Sequence, residues 1–108
     1  MAQDFRNTLN RVIGTGDTTI LAGGNYDAVI GIRCCNVLTS TIKVDVYITN
    51  TATNYYLAKG VVIPPNSAIE LIQCGAKVVL KSGDVLYAKS NTASSLDTVT
   101  SYIDTISS

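Results

Sequence analysis

Apolar and polar positions alternate most regularly along Ile42-Lys43-Val44-Asp45-Val46-Tyr47-Ile48-Thr49. Ile42, Val44, Val46 and Ile48 fall on one face, and Lys43, Asp45, Tyr47 and Thr49 on the other, which is the pattern of a half-buried strand. Residues 28–37 are rich in β-branched side chains and predict a preceding strand, with Ile30, Ile32 and Cys34 inward, Arg33 outward and Asn36 near its end. The connection Leu38-Thr39-Ser40-Thr41 is short, so these two strands are expected to form an antiparallel hairpin.

Downstream, Asn50-Thr51-Ala52-Thr53-Asn54 has the composition of a turn. An extended piece starts at Tyr55-Tyr56-Leu57-Ala58 and runs through Val61-Val62-Ile63. Pro64-Pro65-Asn66-Ser67 stops it, since proline offers no N–H to a ladder and holds its predecessor extended. Short strands are expected at Ala68-Ile69-Glu70-Leu71-Ile72, Ala76-Lys77-Val78-Val79-Leu80 and Val85-Leu86-Tyr87-Ala88-Lys89, with a turn at Lys81-Ser82-Gly83-Asp84. Thr18-Thr19-Ile20-Leu21 reads as a first strand, closed by Gly23-Gly24-Asn25.

The two ends read less directly. Phe5, Leu9, Val12 and Ile13 share one face of a helix, but so short a segment suits an arm equally well, so residues 1–17 are expected as an N-terminal arm or short helix. Leu96, Val99, Ile103 and Ile106 also fit helical spacing. Thr98, Thr100, Tyr102 and Thr105 favour a strand instead, with Val99, Ser101, Ile103 and Thr105 on one face, and strand is the reading taken. The expectation is an all-β chain: one antiparallel β-sandwich or jelly-roll-like domain over residues 18–108, built from seven or eight short strands.

Composition narrows what such a domain can do. The 108 residues suit one domain, and no apolar run reaches the length of a membrane span. Met1-Ala2-Gln3-Asp4-Phe5-Arg6 lacks the basic start and apolar block of a secretory signal, so no targeting by the chain itself is expected. Eight basic and eight acidic residues cancel. Lys77, Lys81 and Lys89 fall close together with Asp84 among them, which reads as a solvated β surface rather than a phosphate-binding footprint, and no nucleic-acid partner is expected. Charged residues are 15% of the chain, against about 25% in typical soluble domains. Thr, Ser and Asn take their place. That leaves strand edges weakly protected, either because partner chains cover some of them or because β proteins favour threonine in general.

Candidate chemistry is sparse. Histidine is absent, which removes the commonest general base and metal ligand. Glu70 is the single glutamate. Asp45 falls on a polar strand face, Asp84 in a turn where it would bond its own backbone, and Asp97 and Asp104 on opposite faces of a strand. Gly14-Thr15-Gly16-Asp17 has only half the features of a phosphate loop. Cys34, Cys35 and Cys74 match no zinc spacing. Neighbours in a strand point apart, so Cys34 and Cys35 are expected as reduced thiols made in a cytoplasm, with a link from Cys74 left open. No cofactor, metal or enzymatic activity is expected. The candidate interaction surface comprises Phe5 on the N-terminal segment with Tyr47, Tyr55 and Tyr56, tyrosine being suited to interfaces and to stacking on sugars.

The order of elements from Ala28 onward resembles a family of small virion proteins from tailed bacteriophages, including those of marine cyanobacteria. The matching segments are Ile32-Arg33-Cys34-Cys35-Asn36-Val37, Val44-Asp45-Val46-Tyr47-Ile48-Thr49 and Tyr56-Leu57. They continue with Ile63-Pro64-Pro65-Asn66-Ser67 into Ile69-Glu70-Leu71, then Val79-Leu80-Lys81-Ser82-Gly83-Asp84-Val85-Leu86, and close with Ser101-Tyr102-Ile103-Asp104. Together they cover about two thirds of the chain. The Cys34-Cys35 pair departs from the family pattern. The resemblance implies a non-enzymatic β-sandwich subunit in the virion, made in the host bacterial cytoplasm. It would dock as a capsid decoration, neck, or tail- or fibre-associated piece on other virion proteins and on copies of itself. The alternative from the residues is a carbohydrate-binding module for a host-surface glycan, built on Tyr47, Tyr55 and Tyr56.

Overall fold

The computed structural model describes residues 5–22, 27–72, 78–81 and 83–103, and all regular structure among them is β-strand. The strands are β1 (Phe5–Ile13), β2 (Thr18–Ala22), β3 (Asp27–Asn36), β4 (Ile42–Asn50), β5 (Thr53–Ile63), β6 (Ala68–Glu70), β7 (Val78–Leu80), β8 (Val85–Ser90) and β9 (Leu96–Ile103). The expected turn at Gly23-Gly24-Asn25, the start of the strand at Ala76-Lys77, Cys74 and Asp104 lie outside the described residues.

Pairing is nested. The tight β4–β5 hairpin is the innermost pair, β3 pairs with β6 and β7, β2 with β8, and β1 with β9, all antiparallel. The chain is thus one long hairpin, rolled up so that β9 also pairs with β3 and β8 with β4. Two sheets result. One, sheet A, runs β1-β9-β3-β6 with β7 also on β3, and the other, sheet B, runs β2-β8-β4-β5. This is the jelly roll, which confirms the sandwich expectation.

The inner faces carry the core. Ile32, Ile42, Val46, Ile63, Leu80, Leu86 and Leu96 are each fully buried. The β4 alternation is realised as read, with Ile42, Val44 and Val46 buried. In β3 the inward set is Val29, Ile32 and Cys34 rather than Ile30, Ile32 and Cys34, because the register against β9 slips between Val29 and Gly31 and inverts the parity there. β9 is a strand as expected, but it turns Leu96, Thr98 and Thr100 inward and leaves Val99 exposed.

Two local expectations fail. β3 and β4 form no hairpin, since they belong to different sheets. The buried Asn36 explains the crossing. Its Nδ2 donates to the carbonyls of Ser40 (2.7 Å), Ile63 (3.0 Å) and Pro64 (3.1 Å), and its Oδ1 accepts from the Leu38 N–H (2.9 Å), so one side chain ties the end of sheet A to β5 of sheet B. The N-terminal segment is neither helix nor separate arm from Phe5 onward, but edge strand β1 of sheet A. Its helix-like spacing comes from an irregularity between Asn10 and Ile13, where Val12 adopts φ 48° and Ile13 is delivered into the core. Thr8 and Asn10 reach across to the carbonyls of Ile20 and Thr19, placing β1 over β2 on one lateral side. The sheet orders then put β5 on the opposite side.

Candidate functional site

The outer face of sheet B carries a row of tyrosines that the β4 alternation sets up. Tyr47 lies in register with Tyr56 on β5 and Tyr87 on β8. Its ring stacks on Tyr87 at 5.7 Å between centroids and meets Tyr56 at 5.1 Å. Covered on both flanks, Tyr47 is only 2% exposed. It faces outward from the sheet, as read, but it is no part of an open surface. Its hydroxyl donates to Asp17. Burial pushes the Tyr47 phenol up from its ordinary range, and the hydrogen bond and charge of Asp17 push the same way.

Tyr56 and Tyr55 point to opposite faces of β5, as adjacent strand residues must. Lys59 sits 4.6 Å over the Tyr56 ring and pairs with Asp45 at 3.6 Å. Tyr56 is therefore occupied by a cation and by Tyr47, which takes up the ring that a sugar would stack on. Tyr55 is 58% exposed and borders a shallow cavity of about 330 Å³ with Ile48, Asn50, Lys81 and Asp84. Tyr47, Tyr55 and Tyr56 do not converge on one stacking platform. Phe5, 77% exposed, stands on β1 at the other side of the sandwich, opposite Ile103.

The carboxylates have structural duties at places where the ladders break. Asp45, expected as a solvated strand residue, accepts from the Gly60 N–H (2.7 Å) where β5 bulges at φ 65°. Glu70 accepts from the Ile32 N–H (2.6 Å) just past the β3 slip, and Asp97 from the Val12 N–H (2.9 Å) at the β1 irregularity. Asp84 accepts from the Lys81 N–H (2.9 Å) in the expected turn and also binds the Asn50 amide. A bulge frees a backbone N–H that needs a partner, and a carboxylate is a strong acceptor for it. Among the described residues no group of three or more His, Cys, Asp or Glu could hold a metal ion. Cys34 and Cys35 are free. Burial, with the Glu70 charge second, pushes the Cys34 thiol up to about 12, so it sits as an inert small hydrophobe.

Sequence reading missed where the exposed apolar side chains gather. Phe5, Leu9 and Val12 lie on β1, with Val99 on the adjoining β9, and Tyr55, Tyr56, Leu57 and Val62 lie on β5; among the described residues only Val37 and Val79 are comparably exposed elsewhere. Leu9 faces Val99 and Phe5 faces Ile103 across the ladder, with the polar pair Asn7 and Ser101 between them on the same face. The signal was present in Phe5 and Leu9, four apart, but it reads as a helix face unless the bulge at Val12 is known.

No family model matches the chain, and no curated protein matches it. Two solved structures, both described as a pentameric capsid protein isolated from metagenomic phage sequences, are similar in fold. Each has a TM-score of 0.51 and 20% sequence identity over 93% of this chain, covering 61% and 59% of their own lengths. This chain thus spans about three fifths of each.

Proposed function

We propose that this chain is a non-enzymatic structural subunit of a phage particle that works through repeated contacts with copies of itself and with other virion proteins. The observation that carries the reading is the jelly-roll likeness, across 93% of the chain, to capsid proteins that form pentamers. The chemistry agrees with it. The acidic side chains described above are spent on holding bulges and turns, and the exposed apolar residues collect at two sides of a rigid two-sheet body. Copies in a symmetric particle gain avidity from repetition rather than from one tight contact.

The finer placement we propose is an accessory subunit docked on the head, neck, tail or fibre of a tailed phage, and the sequence motifs given above support it. Sedimentation velocity of the purified protein, with a mass-spectrometric inventory of particles encoded with it, tests the reading. Closed oligomers and presence in the particle are expected. A chain that stays monomeric at every concentration and is missing from particles would overturn it, as would glycan-array binding by the wild type that Tyr56→Ala abolishes.

A further inference from the structure

We infer that the cleft beside Tyr55 is a binding site for one neutral sugar ring of a glycan, a function separate from the contacts that join subunits. Ile48 and Tyr55 pair in register across β4 and β5, on the side of sheet B that carries the core. Ile48 packs against that core, but Tyr55 beside it is exposed over more than half its surface, so the sandwich is open here. Lys81, directly after β7 of sheet A, and Asp84, directly before β8 of sheet B, line the other side. The cleft between them, about 330 Å³, lies at the lower end of the range for small-ligand sites, a size that suits a single ring.

The chemistry of the lining selects the ligand. Unlike Tyr47 and Tyr56, Tyr55 meets no other ring and no cation among the described residues, so a ring face is open. The C–H face of a pyranose stacks on such an aromatic at the rim of a wet cleft. The polar groups beside it are already held in place. Asp84 accepts from the Asn50 amide and from the Lys81 N–H (2.9 Å), and Asn50 Oδ1 accepts from the Thr51 hydroxyl (2.8 Å). Capacity remains in a second amide hydrogen on Asn50, in further lone pairs on Asp84, and in the Lys81 ammonium, which makes no ion pair among the described residues. A sugar hydroxyl donates and accepts at once, so neighbouring hydroxyls are matched by a carboxylate set beside an amide and an ammonium. An ionic ligand fits less well, because Lys81 and Asp84 carry opposite charges and either sign of ligand meets a like charge. Groups fixed before binding also lose little freedom when the ligand arrives.

Saturation-transfer NMR of the whole chain with methyl glucoside, methyl galactoside and methyl N-acetylglucosaminide, followed by a multivalent glycan array, tests the site. Wild type is expected to bind at least one of these pyranosides. Tyr55→Ala should raise the dissociation constant at least about tenfold, and Tyr55→Phe, which keeps the ring, should leave it within about threefold. Lys81→Ala should weaken binding by about threefold to tenfold. Tyr56→Ala removes a ring on the other face of β5 and should bind as wild type does. Circular dichroism matching wild type verifies each fold, and Tyr55→Leu, apolar but without a ring, takes the place of Tyr55→Ala should that variant unfold. A wild type that binds no pyranoside in solution or on the array would overturn the site, as would undiminished binding once the Tyr55 ring is removed. Equal affinity for free nucleosides or indole would overturn the sugar assignment. Loss of self-assembly in Tyr55→Ala, with no sugar bound by wild type, would make Tyr55 a contact between copies and overturn the site. Wild-type self-assembly is read separately by sedimentation, so the two readings fail independently.

Discussion

Replacing Asn36 by alanine should be the most damaging single truncation of a polar side chain in this domain. The side chain is fully buried. Its two amide hydrogens are shared among the carbonyls of Ser40, Ile63 and Pro64, and its own carbonyl accepts from the Leu38 N–H. Truncation therefore removes about three bonds' worth of hydrogen bonding, at roughly 1 kcal/mol each, and strands buried backbone groups on both sheets, giving about 3 kcal/mol and up to ~5 kcal/mol. For a domain of this size that lowers the melting temperature by roughly 12–24 °C. Urea denaturation at one fixed protein concentration measures it, with concentration held constant because assembly would add to apparent stability. Asn91→Ala is the comparison, because Asn91 Oδ1 accepts only exposed bonds, from the Lys43 N–H at 3.1 Å and the Thr92 hydroxyl at 3.0 Å. Its loss should cost under about 1 kcal/mol. An Asn36→Ala cost no larger than that of Asn91→Ala would refute the view that this amide holds the sheet crossing.

Three further outcomes are expected. Cys34 keeps its proton up to about pH 12 in the folded chain, against 9.0 ordinarily; between those values the unfolded chain has lost the proton and the folded chain has not. Stability is then intact below about pH 9 and falls by about 4 kcal/mol as pH rises to 12, and denaturation curves from pH 8 to 11 should show a slope that Cys34→Ala flattens. Thr98 and Thr100 bury hydroxyls that have no hydrogen-bond partner among the described residues, so Thr98→Val and Thr100→Val should each raise the urea-derived stability by about 1–3 kcal/mol, and a loss would show that the hydroxyls are bonded. Thr51 and Ala52 hold φ of 51° and 61° in the two-residue β4–β5 turn, so the double change Thr51→Asn, Ala52→Gly should raise the melting temperature, by about 1 kcal/mol of stability, and no gain would refute the strain argument.

What could be read from the chain divides by the range of the interaction. β4 was legible to within a residue because both its faces are uniform, apolar in and polar out, and nothing interrupts its own backbone. The turn at Asp84 was legible because the bond that closes it, from the Lys81 N–H, is local. β1 was not. Phe5 and Leu9 stand four apart on one strand face, then the irregularity at Val12 moves Ile13 to the other face, so a bulged strand imitates helical spacing. The β3 inward set failed for the same reason at Gly31. The β3–β4 hairpin failed because Asn36 reads as an ordinary strand-ending residue, whereas its partners Ile63 and Pro64 lie far along the chain. Tyr47 faced the side expected, and its burial depends on Tyr56 and Tyr87, which only the sheet order brings beside it.

Those same bulges bear on function. A long hairpin rolled into two sheets has to bend, and bulges at Val12, near Gly31 and at Gly60 supply bending while each exposes a backbone N–H. Asp97, Glu70 and Asp45 answer them one for one. In a chain with eight acidic residues, this commits a large share of the carboxylates to backbone geometry rather than to solvent or to a reacting group. Asp97, Glu70 and Asp45 are half-buried, each held against a backbone N–H beside a break in a ladder. The fold thus ties part of the chain's small complement of charge to the places where its sheets bend.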